Sequence, residues 1–516
     1  MKKRKGASTV SSVKKSENET RAETESMEMT GAGEEMEEAE TSACDASFRA
    51  EDAVPTSGHD TVSQCTESQE LFLKAVRDHH DKSCEFDFEE SLGTLTPDEV
   101  TALWGSLHKY ISAAETDKVS ETIAAVSLIA RLSANLDMIN PDFIPAGLSA
   151  SAVILHNLVP GVKEAKTTSN ICYFLETWYS RNLLEKDSVI LNVLTILLRK
   201  SLGPQAAKAD IKRIWSLHQT VMEHPVEEGQ TLHNLLVATV GSSLYLTTPE
   251  GVRWLVFLLS LSPDLVTRLH KQARGCLASL SKAACLGLGE VYHKAWVASG
   301  GEFRERLEQD CIQDIMYRGV LASRDRGGVA VNVTRVLSYL RSQERSQATQ
   351  NLLARLYEPI LWRHLKVANP NVRLNACELF LANYPLEDHE RGREERDSSL
   401  EMQHGFMLSL LRDEDVRVRS EAVRGVCRAL ASYWLLIPGE TINQIINIVF
   451  KELIWDNSSP RVRMVSLAGI STILSSPHSH VYMKAVLPRL SECLHDTNEG
   501  VRAALIDLLQ IVKGKS

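Results

Sequence analysis

No two of the ten cysteines stand in a Cys-x-x-Cys pair, and none sits beside histidines or acids at metal-ligand spacing. Scattered through helical patterns, they read as small core residues in a reducing compartment. That excludes a disulfide frame and a zinc site. Aromatic residues make up only 6% of the 516-residue chain, glycine only 27 positions and proline 16. With Leu, Ala and Val dominating the apolar 43%, this scarcity of breakers leans towards helix. The longest apolar stretches, near Val189–Leu198 and Trp254–Leu261, fall short of the roughly 18 residues that a membrane span requires. Met1-Lys-Lys-Arg-Lys5 has no apolar segment behind it, so no secretory signal is expected.

Catalytic motifs are missing as well. There is no His-Glu-x-x-His, Gly-x-Ser-x-Gly or Gly-x-Gly-x-x-Gly. Gly514-Lys515-Ser516 resembles the end of a phosphate-binding loop, but Leu509 stands where that loop needs glycine. Ser279-x-x-Lys282 has the spacing of one hydrolase motif without its partner motifs. The expectation is a protein that is not an enzyme, with no catalytic residue, metal or cofactor.

The net charge of −10 is unevenly spread. Residues 1–70 hold 8 basic and 16 acidic side chains, and the rest of the chain 49 and 51. Residues 1–66 are low-complexity, rich in Ser, Thr, Glu and Ala, with Phe48 their only aromatic. Such a segment cannot bury enough apolar surface to offset its chain entropy, so it is expected to be a disordered acidic tail. Lys2, Lys3, Arg4 and Lys5, followed by Lys14 and Lys15, have the spacing of a nuclear import signal. A solvated charge run is the plainer alternative.

From about residue 67 onward the pattern is helical. Thr96-Pro97 reads as a helix start, and Asn140-Pro141, Gly203-Pro204, Ser262-Pro263, Asn369-Pro370 and Ser459-Pro460 punctuate in the same way. Within residues 350–513 a Val-Arg pair recurs just inside a helix, giving Arg373, Arg419, Arg463 and Arg502. Their spacings of 46, 44 and 39 residues match a HEAT or armadillo unit. An acid before each such helix can tie down the turn. The valine enters the core, and the arginine can reach an acid or carbonyl of the adjacent repeat, a structural role. The apolar stripes agree: Val418, Ala422, Val426, Ala429, Leu430 and Tyr433 share one helix face, as do Val501, Ala504, Leu505, Leu508, Leu509 and Val512. Helices with such faces bury them only by stacking. The fold expected for 67–516 is therefore an all-α HEAT-repeat solenoid, a curved superhelix of antiparallel helix pairs. Residues 386–399, crowded with charge, read as an inter-repeat loop. A repeat helix runs to the last residues without a polar capping unit, so the chain reads as the first half of a longer array, or a truncated product.

Two basic clusters are candidate contacts for DNA or an acidic partner. Arg417, Arg424 and Arg428 lie within about 40° of one another on a helix, opposite its apolar stripe. Arg199, Lys200, Lys208, Lys212 and Arg213 flank the Gly203-Pro204 turn. Binding through either should depend on salt and ignore base sequence. Both can equally be solvated faces, and Arg199 and Lys200 can serve a helix C-terminus. Trp104, Trp178, Trp215, Trp362 and Trp434 read as core anchors.

Residues 308–318 (Glu-Gln-Asp-Cys-Ile-Gln-Asp-Ile-Met-Tyr-Arg), Val336-Leu-Ser-Tyr339 and Leu356-Tyr-Glu-Pro-Ile-Leu-Trp-Arg363 resemble the G-type HEAT subunit of condensin II. The four Val-Arg units match it in order and spacing, and the resemblance runs from about residue 70 to 513. It implies a non-catalytic regulatory subunit that binds a kleisin and, through it, an SMC ATPase pair and a second HEAT subunit. It also implies a nuclear protein of chromatin in mitosis, with contacts to double-stranded DNA and methylated histone tails, and no membrane. The acidic tail has no counterpart in this resemblance, and the family's second half is missing here. An importin-type receptor and a cytosolic assembly scaffold are the alternative solenoids; the first needs an acidic inner surface, against which the Arg417–Arg428 stripe argues.

Overall fold

The computed structural model describes residues 95–113, 119–135, 144–223, 230–324, 329–343 and 346–513. The acidic tail, the import-signal lysines and arginine, and Asn140-Pro141 lie outside them.

Among the described residues the chain is a succession of helices without a strand. At both ends of the described stack, helices pack against the helix two elements away. Pro97–Ala113 meets Ala146–Leu158, and Val119–Asn135 meets Ala165–Ser180. Pro370–Ala382, Val416–Tyr433, Pro460–Ile473 and Glu499–Lys513 pack in series, each on the next. This is the α-solenoid that the repeats require: one continuous apolar core runs through the stack, and no helix buries its face alone.

The helix starts follow from local chemistry. The Ser262 hydroxyl accepts from the Leu265 amide, Asn369 Oδ1 from Asn371 N and the Ser459 hydroxyl from Arg461 N, each with proline next in the chain. Thr96 and Glu99 form a reciprocal box, with Glu99 Oε2 accepting from Thr96 N at 2.9 Å. Gly203-Pro204 is different, because it occupies a connection between Leu191–Ser201 and Lys208–Ser216 and starts no helix.

Glycine permits the closest approaches. A methyl on Gly287 would lie 1.8 Å from the Leu246 carbonyl oxygen, and one on Gly289 would lie 2.4 Å from that of Val336. The two glycines let helix Lys282–Ala298 sit between Ser243–Thr247 and Val329–Ser342 at backbone distance.

Three expectations need correction. Residues 386–399 are not one loop: helix Arg393–Leu411 begins inside them, with Glu394 and Glu395 in its first turn. The remaining connection is a strap tied to its neighbours. Gln403 brackets Leu386, accepting from its amide at 3.1 Å and donating to its carbonyl at 2.9 Å. Arg391 pairs with Glu358, and Asn351 Oδ1 accepts from the His389 amide. Leu509 leaves the apolar stripe and is exposed, while Val501, Leu505 and Leu508 are buried. Trp104, Trp178 and Trp434 are core anchors, whereas Trp215 is only half-buried and lines a cleft.

Candidate nucleic-acid interface

The Val-Arg arginines form a ladder. Arg373 donates from Nε and Nη2 to both oxygens of Asp413, at 2.8 and 2.9 Å. Arg419 reaches Asp456 at 2.9 Å, and Arg463 reaches both oxygens of Asp496 at 2.7 and 2.9 Å. The remaining guanidinium nitrogen points the other way, into the chain's own turn. Nη1 of Arg419 donates to the Asp413 carbonyl at 2.7 Å, Nη1 of Arg463 to that of Asp456 at 2.8 Å and Nη1 of Arg502 to that of Asp496 at 2.7 Å. Each aspartate also holds its own turn by accepting a backbone amide two residues on: Asp415 N, Ser458 N and Asn498 N. The pairs are nearly enclosed, at 9–14% exposure of either side chain. A hydrogen bond from Arg463 holds the Asp496 carboxyl below its usual range. Burial alone would raise Asp456, but hydrogen bonds from Ser458 and Arg419 and the Arg419 charge bring it below its ordinary value. The guanidinium groups of these four arginines are thus occupied by contacts within the stack.

The stripe on Val416–Tyr433 is largely spent. Arg417 chelates Asp415 through Nε and Nη2, at 3.1 and 3.0 Å, and donates to Asn371 at 2.8 Å. Arg424 pairs with Glu421. Arg428 is exposed and has no ion pair among the described residues.

The cluster around Gly203-Pro204 divides in two. Lys200 pairs with Asp210 at 2.8 Å, and Asp210, almost wholly buried, also accepts from the Ala207 amide at 3.0 Å. Burial would raise the Asp210 carboxyl; hydrogen bonds from Lys200 and Ala207 and the nearby positive charge hold it below its usual range. Arg213 donates from Nε to Glu176 at 2.8 Å, across 37 residues of sequence. Lys200 and Arg213 are therefore counter-ions of the stack. Arg199, Lys208 and Lys212 are exposed without an ion pair among the described residues, and these three can meet a phosphate backbone.

The string 308–318 turns out to be a tie-point. It opens in a π-helical turn, Leu307–Ile312. Glu308, buried, accepts from the Trp296 indole at 2.8 Å and from Arg355 at 2.7 Å. Gln313 donates to the Leu356 carbonyl at 3.1 Å, and Asp314 accepts from Arg318 at 2.8 Å. Two of the three strings that carry the family resemblance thus bind each other.

A further element escaped the sequence reading. A cleft of about 460 Å³ opens among Trp215, Val256, Phe257, Ala295, Ala298 and Phe303. The signal was present: Lys208, Lys212 and Trp215 stand at i, i+4 and i+7, along one helix face. No group of three metal-capable side chains occurs among the described residues, and no described helix is long and apolar enough to cross a membrane.

Residues 238–388 match the family of condensin II non structural maintenance of chromosomes subunits. The chain is 30% identical over 475 residues to condensin-2 complex subunit G2 of Xenopus laevis, covering 87% of this chain and 41% of that one. The human subunit of the same name is 30% identical over 471 residues, covering 86% of this chain and 41% of that one. The chain thus spans about two-fifths of the length of the curated relatives it matches. Among solved structures, Kap121p aligns with 88% of this chain and 45% of its own, at 11% identity and a TM-score of 0.42.

Proposed function

As a relative of the G-type HEAT subunits of condensin II, the chain is, we propose, a non-catalytic regulatory scaffold of that complex. It binds the kleisin, and through it the SMC ATPase pair and the second HEAT subunit. It supports chromosome condensation and segregation in mitosis, and its site of action is the nucleus and the mitotic chromosome. The observation that carries this reading is the coincidence of two things. The similarity to the G2 subunits covers 87% of this chain, and the family strings 308–318 and 356–363 are joined by the Gln313–Leu356 bond, with the Glu308–Arg355 pair beside it. A scaffold of this kind works by presenting surface, and Arg373, Arg419 and Arg463 each hold one repeat on the next.

Contact with double-stranded DNA is assigned to Arg199, Lys208 and Lys212, with Arg428 as a secondary point. Lys200, Arg213, Arg417 and Arg424 are already neutralised by named acids and contribute less. Binding of methylated histone tails follows from the family reading alone and is given no residues.

The test is recovery of partners. The chain is expressed with an affinity tag, captured from nuclease-treated mitotic extract and analysed by mass spectrometry. The reading expects a kleisin with two SMC ATPases. Capture of transport-pathway proteins or a phosphatase in their place would replace it with another scaffold.

A further inference from the structure

The cleft beside Trp215 combines apolar walls with a basic rim. Trp215 comes from helix Lys208–Ser216, Val256 and Phe257 from Pro249–Leu258, Ala295 and Ala298 from Lys282–Ala298, and Phe303 from Gly301–Arg306. Arg253 stands one turn before Phe257 and Lys294 one turn before Ala298, and both line the cleft. Lys212 lies one turn before Trp215 on the same helix face. Arg253 and Lys212 are exposed with no ion pair among the described residues, while Lys294 pairs with Glu290 at 2.6 Å. The local charge is thus positive after that pairing.

The aromatic rings are arranged for packing. Trp215 lies stacked on His218, with centroids 4.3 Å apart and planes 7° from parallel. Phe257 meets both rings edge-on, at 6.4 and 5.1 Å. One face of the indole is therefore covered, which disfavours base stacking of the kind that single-stranded nucleic acid uses. The small side chains of Ala295 and Ala298 leave the space that a large apolar group fills.

We infer that this cleft docks an acidic segment of a partner protein, which inserts one bulky apolar side chain between Phe257, Ala298 and Phe303 while its carboxylates face Arg253 and Lys212. Burial of a single anchor in a preformed pocket, ringed by complementary charge, is how a short segment achieves specificity. This inference rests on the cleft alone and stands apart from the condensin assignment.

The probe is a fluorescein-labelled decapeptide of Asp and Glu with one central Phe, titrated into the full chain and read by anisotropy. Saturable binding is expected, weakened about tenfold when the peptide Phe is changed to Ala, the loss of one buried aromatic anchor. Ala298→Trp fills the cleft from an exposed position, and Arg253→Glu reverses the rim; each should weaken binding by about tenfold or more while the melting temperature holds. Should Ala298→Trp misfold, Arg253→Glu still decides. The inference is overturned by an absence of saturable binding, by equal affinity for the Phe and Ala peptides, or by binding that Arg253→Glu leaves unchanged. A thymidine 20-mer that competes fully and is likewise blocked by Ala298→Trp would overturn it in favour of a nucleic-acid groove.

Discussion

Arg463 holds two repeats at once: Nε and Nη2 grip both oxygens of Asp496, while Nη1 donates to the backbone carbonyl of Asp456. Asp456 is itself the acid that receives Arg419. Each aspartate therefore closes its own turn, anchors the arginine before it and offers its carbonyl to the arginine after it. The ladder converts a local turn motif into a register between repeats.

Arg463→Ala leaves the Asp496 carboxylate nearly enclosed without its counter-ion, and should cost about 2–4 kcal/mol. Arg463→Lys should recover only part of this, because an ammonium cannot reproduce the fork. Urea denaturation followed by circular dichroism measures both. An unchanged midpoint for Arg463→Ala would mean that apolar packing alone sets the register.

The depressed carboxyls of Asp456 and Asp496 make the ladder sensitive to acid. A carboxyl whose folded pKa lies below its unfolded value stabilises the fold above the unfolded value, about 3.9. That stability is lost as pH falls through the folded value. The ladder's contribution to stability should therefore hold from neutrality to about pH 4 and decline below it. Asp496→Asn should flatten the decline. Melting curves between pH 3 and 7 test this, and the same slope in wild type and variant would count against the ladder as its source.

Gly287→Ala should destabilise severely, since its new methyl meets the Leu246 backbone oxygen, which no side-chain rotation can move aside. A loss of about 3 kcal/mol or more is expected, against less than about 1 for Gly405→Ala, where nothing lies within 4 Å of the added methyl. Paired denaturation curves of the two variants decide it.

The five cations around Gly203-Pro204 should separate by phenotype. Reversing Arg199, Lys208 and Lys212 to Glu should leave the fold intact, weaken duplex DNA binding equally for all sequences and reduce the salt slope by about 2–3. Reversing Lys200 or Arg213 should instead lower the melting temperature, because Asp210 and Glu176 lose their partners. Electrophoretic shift assays across a salt series, beside melting curves, distinguish the two groups.

Much of this was legible in the sequence. The Val-Arg recurrence, the Ser-Pro and Asn-Pro helix starts and the stripe from Val418 to Leu430 follow from period and capping chemistry, which act within one or two turns. The reach of Arg419 and Arg463 to an acid of the adjacent repeat followed from the same spacing. What stayed hidden depends on residues that only the stack brings together. Glu176 neutralises Arg213 from 37 positions away, and Asn371 holds Arg417 from 46. The charged run after Leu386 hid a helix for a related reason: the first two turns of Arg393–Leu411 are solvated, so apolar periodicity begins only near Phe406. The cleft lay hidden because its walls come from four helices whose order in space the sequence does not state.

The most direct measurement of the central claim is to mix the purified chain with the purified condensin II kleisin and follow them by size-exclusion chromatography with light scattering. The account predicts a single co-eluting species of one copy each that survives nuclease treatment. Two separate peaks from folded components would contradict it.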